Sequence, residues 1–300
     1  MALRQQVLCI AKHAAAMPYP GPVNATVPAW REKLKSGKTV ALGCAINTSS
    51  PLAAELVASL DYDFVLIDQQ HSAIDPEKLR NLLQAVHCAR CHALVRVGGA
   101  DDRIGIQQAL DLGADGILVP CSKTADDIRK AVSCAKYPVR GPGSVGGTRS
   151  VFLNLRPQLP GGFAGLIDYV VNTGNERAFV AAQIETNEAL ENIEEICKVE
   201  GLDCAFIGPG DLATDMGLVK EFGMPACWGS DKFKEAEKKI AETCLKNGVI
   251  PGYWSGSVEE KGKLGFRFFV TNSDILAMST SLEANLKELR EAQKGLGLDN

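Results

Sequence analysis

The sequence predicts an α/β fold, a (β/α)8 TIM barrel preceded by an N-terminal arm. Three observations predict it. After Gly37, eight short apolar runs alternate with stretches of helical periodicity. The 300 residues exceed a barrel of about 250 residues by little more than an arm. No G-x-G-x-x-G follows the first apolar run, which weakens the rival, an open dinucleotide-binding sheet. The chain therefore divides into an arm over 1–36 and a barrel over 37–300.

The elements follow in order. Pro18-Tyr19-Pro20-Gly21-Pro22 ends the helix-like start of the arm, because three prolines remove donors and fix φ. Strands are predicted over 40–46, 64–68, 93–97, 116–120, 179–185, 204–208, 249–253 and 268–271. Helices are predicted over 75–89, 101–112, 125–135, 187–199, 231–246 and 273–289. In the first of these, Leu79, Leu82, Leu83 and Val86 recur at three-and-four spacing, and Asp75 before Pro76 reads as an N-cap with proline in the first turn. Gly113 and Gly201 follow helices as C-caps. Gly141-Pro142-Gly143-Ser144-Val145-Gly146-Gly147 follows a helix, not a strand, and reads as a long active-site loop.

Composition excludes several function classes. With 32 Lys and Arg against 36 Asp and Glu, the net charge of −4 offers no basic excess for nucleic acid. No apolar run reaches the ~18 residues of a membrane span. Ten cysteines are thinly spread and sit mostly in apolar runs, as reduced thiols of an intracellular enzyme do. The first 31 residues hold Arg4, Lys12 and Arg31 but no acid. Lacking serine, they read as a cytoplasmic arm rather than a mitochondrial transit peptide. Cys88-Ala89-Arg90-Cys91-His92 matches C-x-x-C-H literally, but it spans a helix end and a strand start, so no haem is expected. Trp30, Trp228 and Trp254 read as packing or subunit contacts.

Barrel chemistry lies at the C-terminal ends of the strands. Those ends supply Asp68 with His71 three residues on, Arg96, Glu185, and Asp211 in the loop after Ile207. Asp68, Arg96 and Glu185 each follow an apolar run. A charge in that position either faces the mouth or is buried unpaired, and the second is costly. Glu185 and Asp211 are the pair expected to hold a hard divalent cation, Mg2+ or Mn2+. Gly208-Pro209-Gly210-Asp211 lets backbone N–H groups approach an anion, with a short helix beginning near Asp211.

Six motifs occur in order: Leu66-Ile67-Asp68-x-x-His71, Val95-Arg96, Leu118-Val119-Pro120, Arg140-Gly141-x-Gly143-Ser144, Gln183-Ile184-Glu185-Thr186 and Phe206-Ile207-Gly208-Pro209-Gly210-Asp211-Leu212. Together, over roughly 37–289, they resemble the HpcH/HpaI class II pyruvate aldolases, a family that includes macrophomate synthase. The resemblance implies a metal-dependent, reversible retro-aldol cleavage of a 4-hydroxy-2-oxo acid, such as a 2-keto-3-deoxy sugar acid, to pyruvate and an aldehyde. Glu185 and Asp211 would hold Mg2+, Mn2+ or Co2+, and Gln183 would lie beside the metal. Arg96 would meet the enolate oxygen, and His71, oriented by Asp68, would act as acid and base. The amides of Gly210 and Asp211 would hold the pyruvate carboxylate, with Tyr169 a further substrate contact. The partner class is a small 2-oxo acid, and the assembly a homo-oligomer, hexamer or trimer. No lysine stands at a strand end, so neither a Schiff-base aldolase nor a pyridoxal phosphate site is expected, and NAD is not expected either.

The chain departs from the family at Asp68-Gln69-Gln70-His71, where the family reads Asp-Gly-Glu-His or Asp-Val-Glu-His. The uncharged Gln70 removes support near the metal, commonly worth about tenfold or more. Two rivals stay open. One is oxaloacetate decarboxylation with enolate transfer, as in macrophomate synthase. The other is a catalytically weakened barrel that binds a keto acid.

Overall fold

The computed structural model describes residues 26–89, 91–137 and 162–296. The Gly141–Gly147 loop, the Arg140 motif and the Pro18–Pro22 segment of the arm lie outside the described residues. Helix α1 (Val27–Lys35) precedes β1 (Ala41–Ile46), α2 (Pro51–Ala58), β2 (Phe64–Asp68), α3 (Pro76–Cys88), β3 (His92–Arg96), α4 (Arg103–Asp111), β4 (Gly116–Val119) and α5 (Ala125–Ala135). Then come α6 (Gly162–Asp168), a π-helical turn (Tyr169–Thr173), α7 (Gly174–Arg177), β5 (Phe179–Ile184), α8 (Asn187–Glu191), α9 (Ile193–Cys197), β6 (Cys204–Ile207), α10 (Pro209–Asp215) and α11 (Leu218–Phe222). A 3-10 turn (Ala226–Gly229), α12 (Asp231–Lys246), β7 (Ile250–Trp254), α13 (Val258–Lys263), β8 (Phe268–Ser273) and α14 (Asp274–Gly295) complete the order. The eight strands close into one parallel barrel in sequence order, with β8 returning to β1. The predicted TIM barrel is the observed fold.

Local chemistry starts the helices. Ser50, Asp75, Thr124, Thr186, Ser230 and Ser273 each accept a backbone N–H three residues on. The helix predicted over 187–199 is broken at Asn192 into α8 and α9. The helix predicted to begin near Asp211 begins at Pro209, a favoured first-turn residue, and carries Asp211 in its first turn.

Side chains alternate along each strand, so every second residue faces the barrel axis. Ala41, Ala45, Phe64, Leu66, Leu94, Leu118, Phe179, Ala181, Phe206 and Phe268 form that inner core. Phe64 stacks on Phe268 at 4.3 Å, and Phe179 stacks on Phe268 at 5.5 Å. These rings fit because small residues face them. A Cβ on Gly43 would lie 2.2 Å from the Phe64 ring, and one on Gly116 would lie 2.6 Å from Phe179 Cβ. Burying one such ring contributes roughly 1.5–3 kcal/mol.

Helix α1, within the predicted arm, closes the N-terminal end of the barrel. Its Trp30 is buried, stacks on His92 at 4.7 Å and leans on Phe64, Phe179 and Phe268. Arg31 Nη1 pairs with Asp203 Oδ1 at 3.0 Å. Three aspartates before even-numbered strands finish this end. Asp63, Asp115 and Asp203 accept the N–H of Leu42, Ala93 and Val180 on the preceding strand. Each bond satisfies a backbone donor at the barrel's lower edge. The sealed lower end leaves the upper end as the place for a site.

Candidate active site

The inward alternation continues upward past the apolar core. Asp68 stands two residues after Leu66, Arg96 two after Leu94, Gln183 two after Ala181 and Trp254 two after Gly252. They form a rim layer in which polar side chains replace aliphatic ones. Asp68, Arg96, Gln183 and Glu185 are all buried.

Asp68 and Arg96 sit opposite each other in the β2–β3 register. Arg96 Nε donates to Asp68 Oδ1 at 2.9 Å and Nη2 donates to Oδ2 at 2.6 Å. Such a bidentate pair is the strong form of the interaction. Asn47 Nδ2 adds a bond to Asp68 Oδ2 at 2.8 Å. The backbone N–H groups of Gln70 and His71 donate to Oδ1 at 3.0 and 3.3 Å. Asp68 is thus filled by donors, which is what a buried charge requires. This corrects one sequence expectation. Asp68 holds the main chain of His71 and not its ring, because Arg96 and Asn47 occupy the carboxylate. The His71 ring is exposed at the mouth and makes no hydrogen bond among the described residues. Arg96 Nη1 also makes none among them, and the guanidinium lies 5.3 Å from the Trp254 ring centroid.

Glu185 follows β5 and is held from two sides. Cys121 N donates to its Oε1 at 2.6 Å, and Gln183 Nε2 donates to its Oε2. Burial pushes the Glu185 carboxyl above its ordinary range, and the negative charge of Asp211 adds to the rise, against the lowering by Cys121 and Gln183. Cys121 adopts a left-handed backbone, φ 52°, after β4. Partial burial and the charge of Glu185 push its thiol up. Gln70 Nε2 points at Cys121 Sγ across 4.0 Å. Asp211 is exposed in the first turn of α10. The N–H groups of Gly210 and Asp211 lie in that turn, where no carbonyl four residues back can accept them.

The donor set fits a hard divalent cation. Among the described residues, Gln183 Oε1 is buried without a hydrogen-bond partner beside Glu185. Gly208 keeps the space open, since a Cβ there would lie 2.7 Å from Gln183 Nε2 and 2.8 Å from Glu185 Oε2. Two carboxylates and an amide oxygen suit a cation that keeps several waters. Among the described residues no three His, Cys, Asp or Glu side chains form a closed cage for a metal, so a cation there would need oxygen ligands beyond the two carboxylates.

Tyr169 is not brought to this mouth. It is buried edge-on against Tyr137 at 6.1 Å. Tyr137 follows α5, near where Lys136 Nζ binds the carbonyls of Asn175 and Ala178 just before β5. Tyr169 therefore packs by the N-terminal end of β5, the end away from Glu185. Asn47, Cys121 and Trp254 are rim residues that sequence reasoning did not single out as such. Asn47 directly follows the apolar run of β1, the same signal that marks Asp68.

Known proteins match this chain over most of its length. Residues 42–264 match the family profile described as HpcH/HpaI aldolase/citrate lyase. The chain is 32% identical over 281 residues to a 4-hydroxy-2-oxovalerate aldolase of Novosphingobium aromaticivorans, covering 90% of this chain and 96% of the relative. It is 29% identical over 274 residues to a 2-keto-3-deoxy-L-rhamnonate aldolase of Escherichia coli O1:K1 / APEC, covering 89% and 94%. The fold superposes on the crystal structure of macrophomate synthase with a TM-score of 0.74 at 26% identity, covering 94% of this chain and 93% of that one.

Proposed function

The chain belongs to the HpcH/HpaI aldolase/citrate lyase family, and from that premise we propose a divalent-metal-dependent aldolase that cleaves a 4-hydroxy-2-oxo acid to pyruvate and an aldehyde. The substrate class is a short hydroxy-oxo acid or a 2-keto-3-deoxy sugar acid, by analogy with what the relatives' names state. The observation that carries the reading is one rim holding buried Glu185, the unpartnered Gln183 oxygen and an Arg96 fixed by Asp68.

Glu185 and Asp211 would hold the cation, with Gln183 Oε1 beside them. A bound divalent cation supplies Lewis-acid polarisation of the 2-oxo group. The chain's own groups account for the remaining chemistry. The amides of Gly210 and Asp211 bind the substrate carboxylate. Arg96, pre-set by Asp68, places positive charge where the 2-oxo oxygen gains electrons. His71 takes the C4 hydroxyl proton as the C3–C4 bond breaks. The bonding pair passes to C3 and delocalises onto the 2-oxo oxygen, and protonation of C3 gives pyruvate.

The same reading includes assembly into a homo-oligomer of three or six copies. Ile275, Met278, Leu282, Leu286 and Leu289 recur on one face of α14 and are 47–61% exposed. Leu52, Leu56 and Leu60 form a second exposed apolar row on and just after α2. Continuous stripes of this kind mark contact surfaces. A cytoplasmic location accords with the nine described cysteines being free thiols. No described helix is long and apolar enough to cross a membrane.

Calorimetric titration with Mn2+ tests the ligand set. One site is expected in the wild type and none in Glu185→Gln. Equal binding by both proteins would remove Glu185 from the set.

A further inference from the structure

We propose that Trp254 is a positioning residue for Arg96, locking the guanidinium in the pose that the developing enolate charge requires. The inference rests on the aldolase reading for the role of Arg96, and on geometry for the lock.

Strands β3 and β7 lie four apart in an eight-stranded barrel, so Arg96 and Trp254 come from opposite walls. Both belong to the inward-facing rim layer, and they meet at 5.3 Å over the indole face. Asp68 grips Arg96 along one edge only, through Nε and Nη2. A planar pair joined along one edge can still hinge about that edge. The Trp254 ring blocks the hinge on one face and adds cation–π attraction in a desolvated setting. Nη1, which makes no hydrogen bond among the described residues, is left for a ligand.

Trp254 is itself immobilised. Its ring meets Phe206 edge-on at 6.4 Å and 74°, and Phe206 meets Phe268 edge-on at 6.1 Å. Gly252 makes room for this chain of rings, because a Cβ there would lie 2.7 Å from Phe206 Cδ2. An aromatic relay thus runs from the core stack at Phe268 to the guanidinium. Trp254 is half-buried and packs partly on the inner core.

The test uses the full chain loaded with Mg2+ and oxalate, a dianion that presents paired oxygens as pyruvate enolate does. Calorimetry on Trp254→Leu is expected to give oxalate affinity about tenfold weaker than wild type, the order of one desolvated cation–π contact. Trp254→Phe keeps an aromatic face and is expected to stay within about threefold. Oxalate is also expected to change the wild-type tryptophan emission, a change that Trp254→Phe loses while it still binds oxalate. In turnover, Trp254→Leu should lower kcat about tenfold with KM nearly unmoved, since Arg96 acts on charge formed in the transition state. Wild-type affinity in Trp254→Leu overturns the proposal, as does a Trp254→Phe variant as weak as Trp254→Leu. A wild type that binds oxalate but releases no pyruvate would refute the aldolase reading and leave the affinity comparison to decide the lock.

Discussion

Asp68 and Arg96, opposite each other on β2 and β3, form a bidentate pair with contacts of 2.9 and 2.6 Å at the floor of the barrel mouth. Both are buried, so neither can lose its partner to water. Asp68→Ala strands the guanidinium and is expected to destabilise the fold by about 3–5 kcal/mol and to lower turnover about 100-fold or more. Asp68→Asn keeps an acceptor and the shape, and should lose turnover with a smaller stability change. Denaturant unfolding and pyruvate release on both variants check this. Equal turnover in wild type and Asp68→Asn would remove the charge of Asp68 from the account.

Glu185 is destabilised where it stands, by burial and by the charge of Asp211. A carboxyl raised in the folded state contributes stability below its unfolded pKa and loses it as pH rises through the folded one. At pH 7 the metal-free wild type therefore carries the cost of an ionised Glu185. Glu185→Gln removes that charge and keeps the shape of the side chain. Metal-free Glu185→Gln should melt about 2–4 °C higher than wild type for each kcal/mol recovered, with the gap shrinking toward acid. A variant that melts lower than metal-free wild type at pH 7 contradicts this.

Tyr253, Glu237 and Lys261 form a buried network beside β7, outside the mouth. Burial and then the charge of Glu237 push the Tyr253 hydroxyl well up. For Lys261 burial lowers the pKa, but the bonds to Glu237 and Glu260 outweigh it. Both folded pKa values are raised, so their contribution is complete below the unfolded values near 10 and fades as pH rises beyond them. Urea midpoints should be flat from about pH 7 to 9 and fall above about pH 10. Glu237→Gln should start lower and fall less steeply. A wild type that gains stability above pH 10 would contradict the network.

The apolar face of α14 gives a prediction on assembly. Light scattering should return three or six times the 32.0 kDa chain mass. Leu282→Glu combined with Leu286→Glu should return smaller species. A monomeric wild type would refute the contact surface.

Much of this was legible in the sequence for a definite physical reason. A parallel barrel buries its strands, so Phe64–Asp68 reads as an apolar run with one polar residue at the end, and Phe179–Glu185 as an apolar run that closes on Gln183-Ile184-Glu185. A polar residue at such an end must be satisfied or functional, which is how Asp68, Arg96 and Glu185 stood out. Tyr169 was misplaced because distance along the chain does not say which end of the barrel a loop residue reaches. Trp254 read as packing because an aromatic residue at a strand end gives no polar signal. Only the alternation along β7, and the meeting of opposite walls, puts it over Arg96. Cys121 was hidden because its backbone N–H, not its side-chain type, makes the bond to Glu185. The break at Asn192 has no periodicity signal, since α8 and α9 continue one apolar face.

Metal-dependent aldol cleavage is measured most directly as pyruvate release coupled to NADH oxidation. The substrates are a panel of 4-hydroxy-2-oxo acids and oxaloacetate, offered to metal-loaded protein, chelator-stripped protein and Glu185→Gln. Pyruvate is expected from at least one hydroxy-oxo acid, lost on chelation, restored by added Mg2+ or Mn2+, and absent in Glu185→Gln. Pyruvate from oxaloacetate alone would contradict aldol cleavage in favour of decarboxylation with enolate transfer. No pyruvate from any substrate, with metal bound, would contradict it in favour of a barrel that only holds a keto acid.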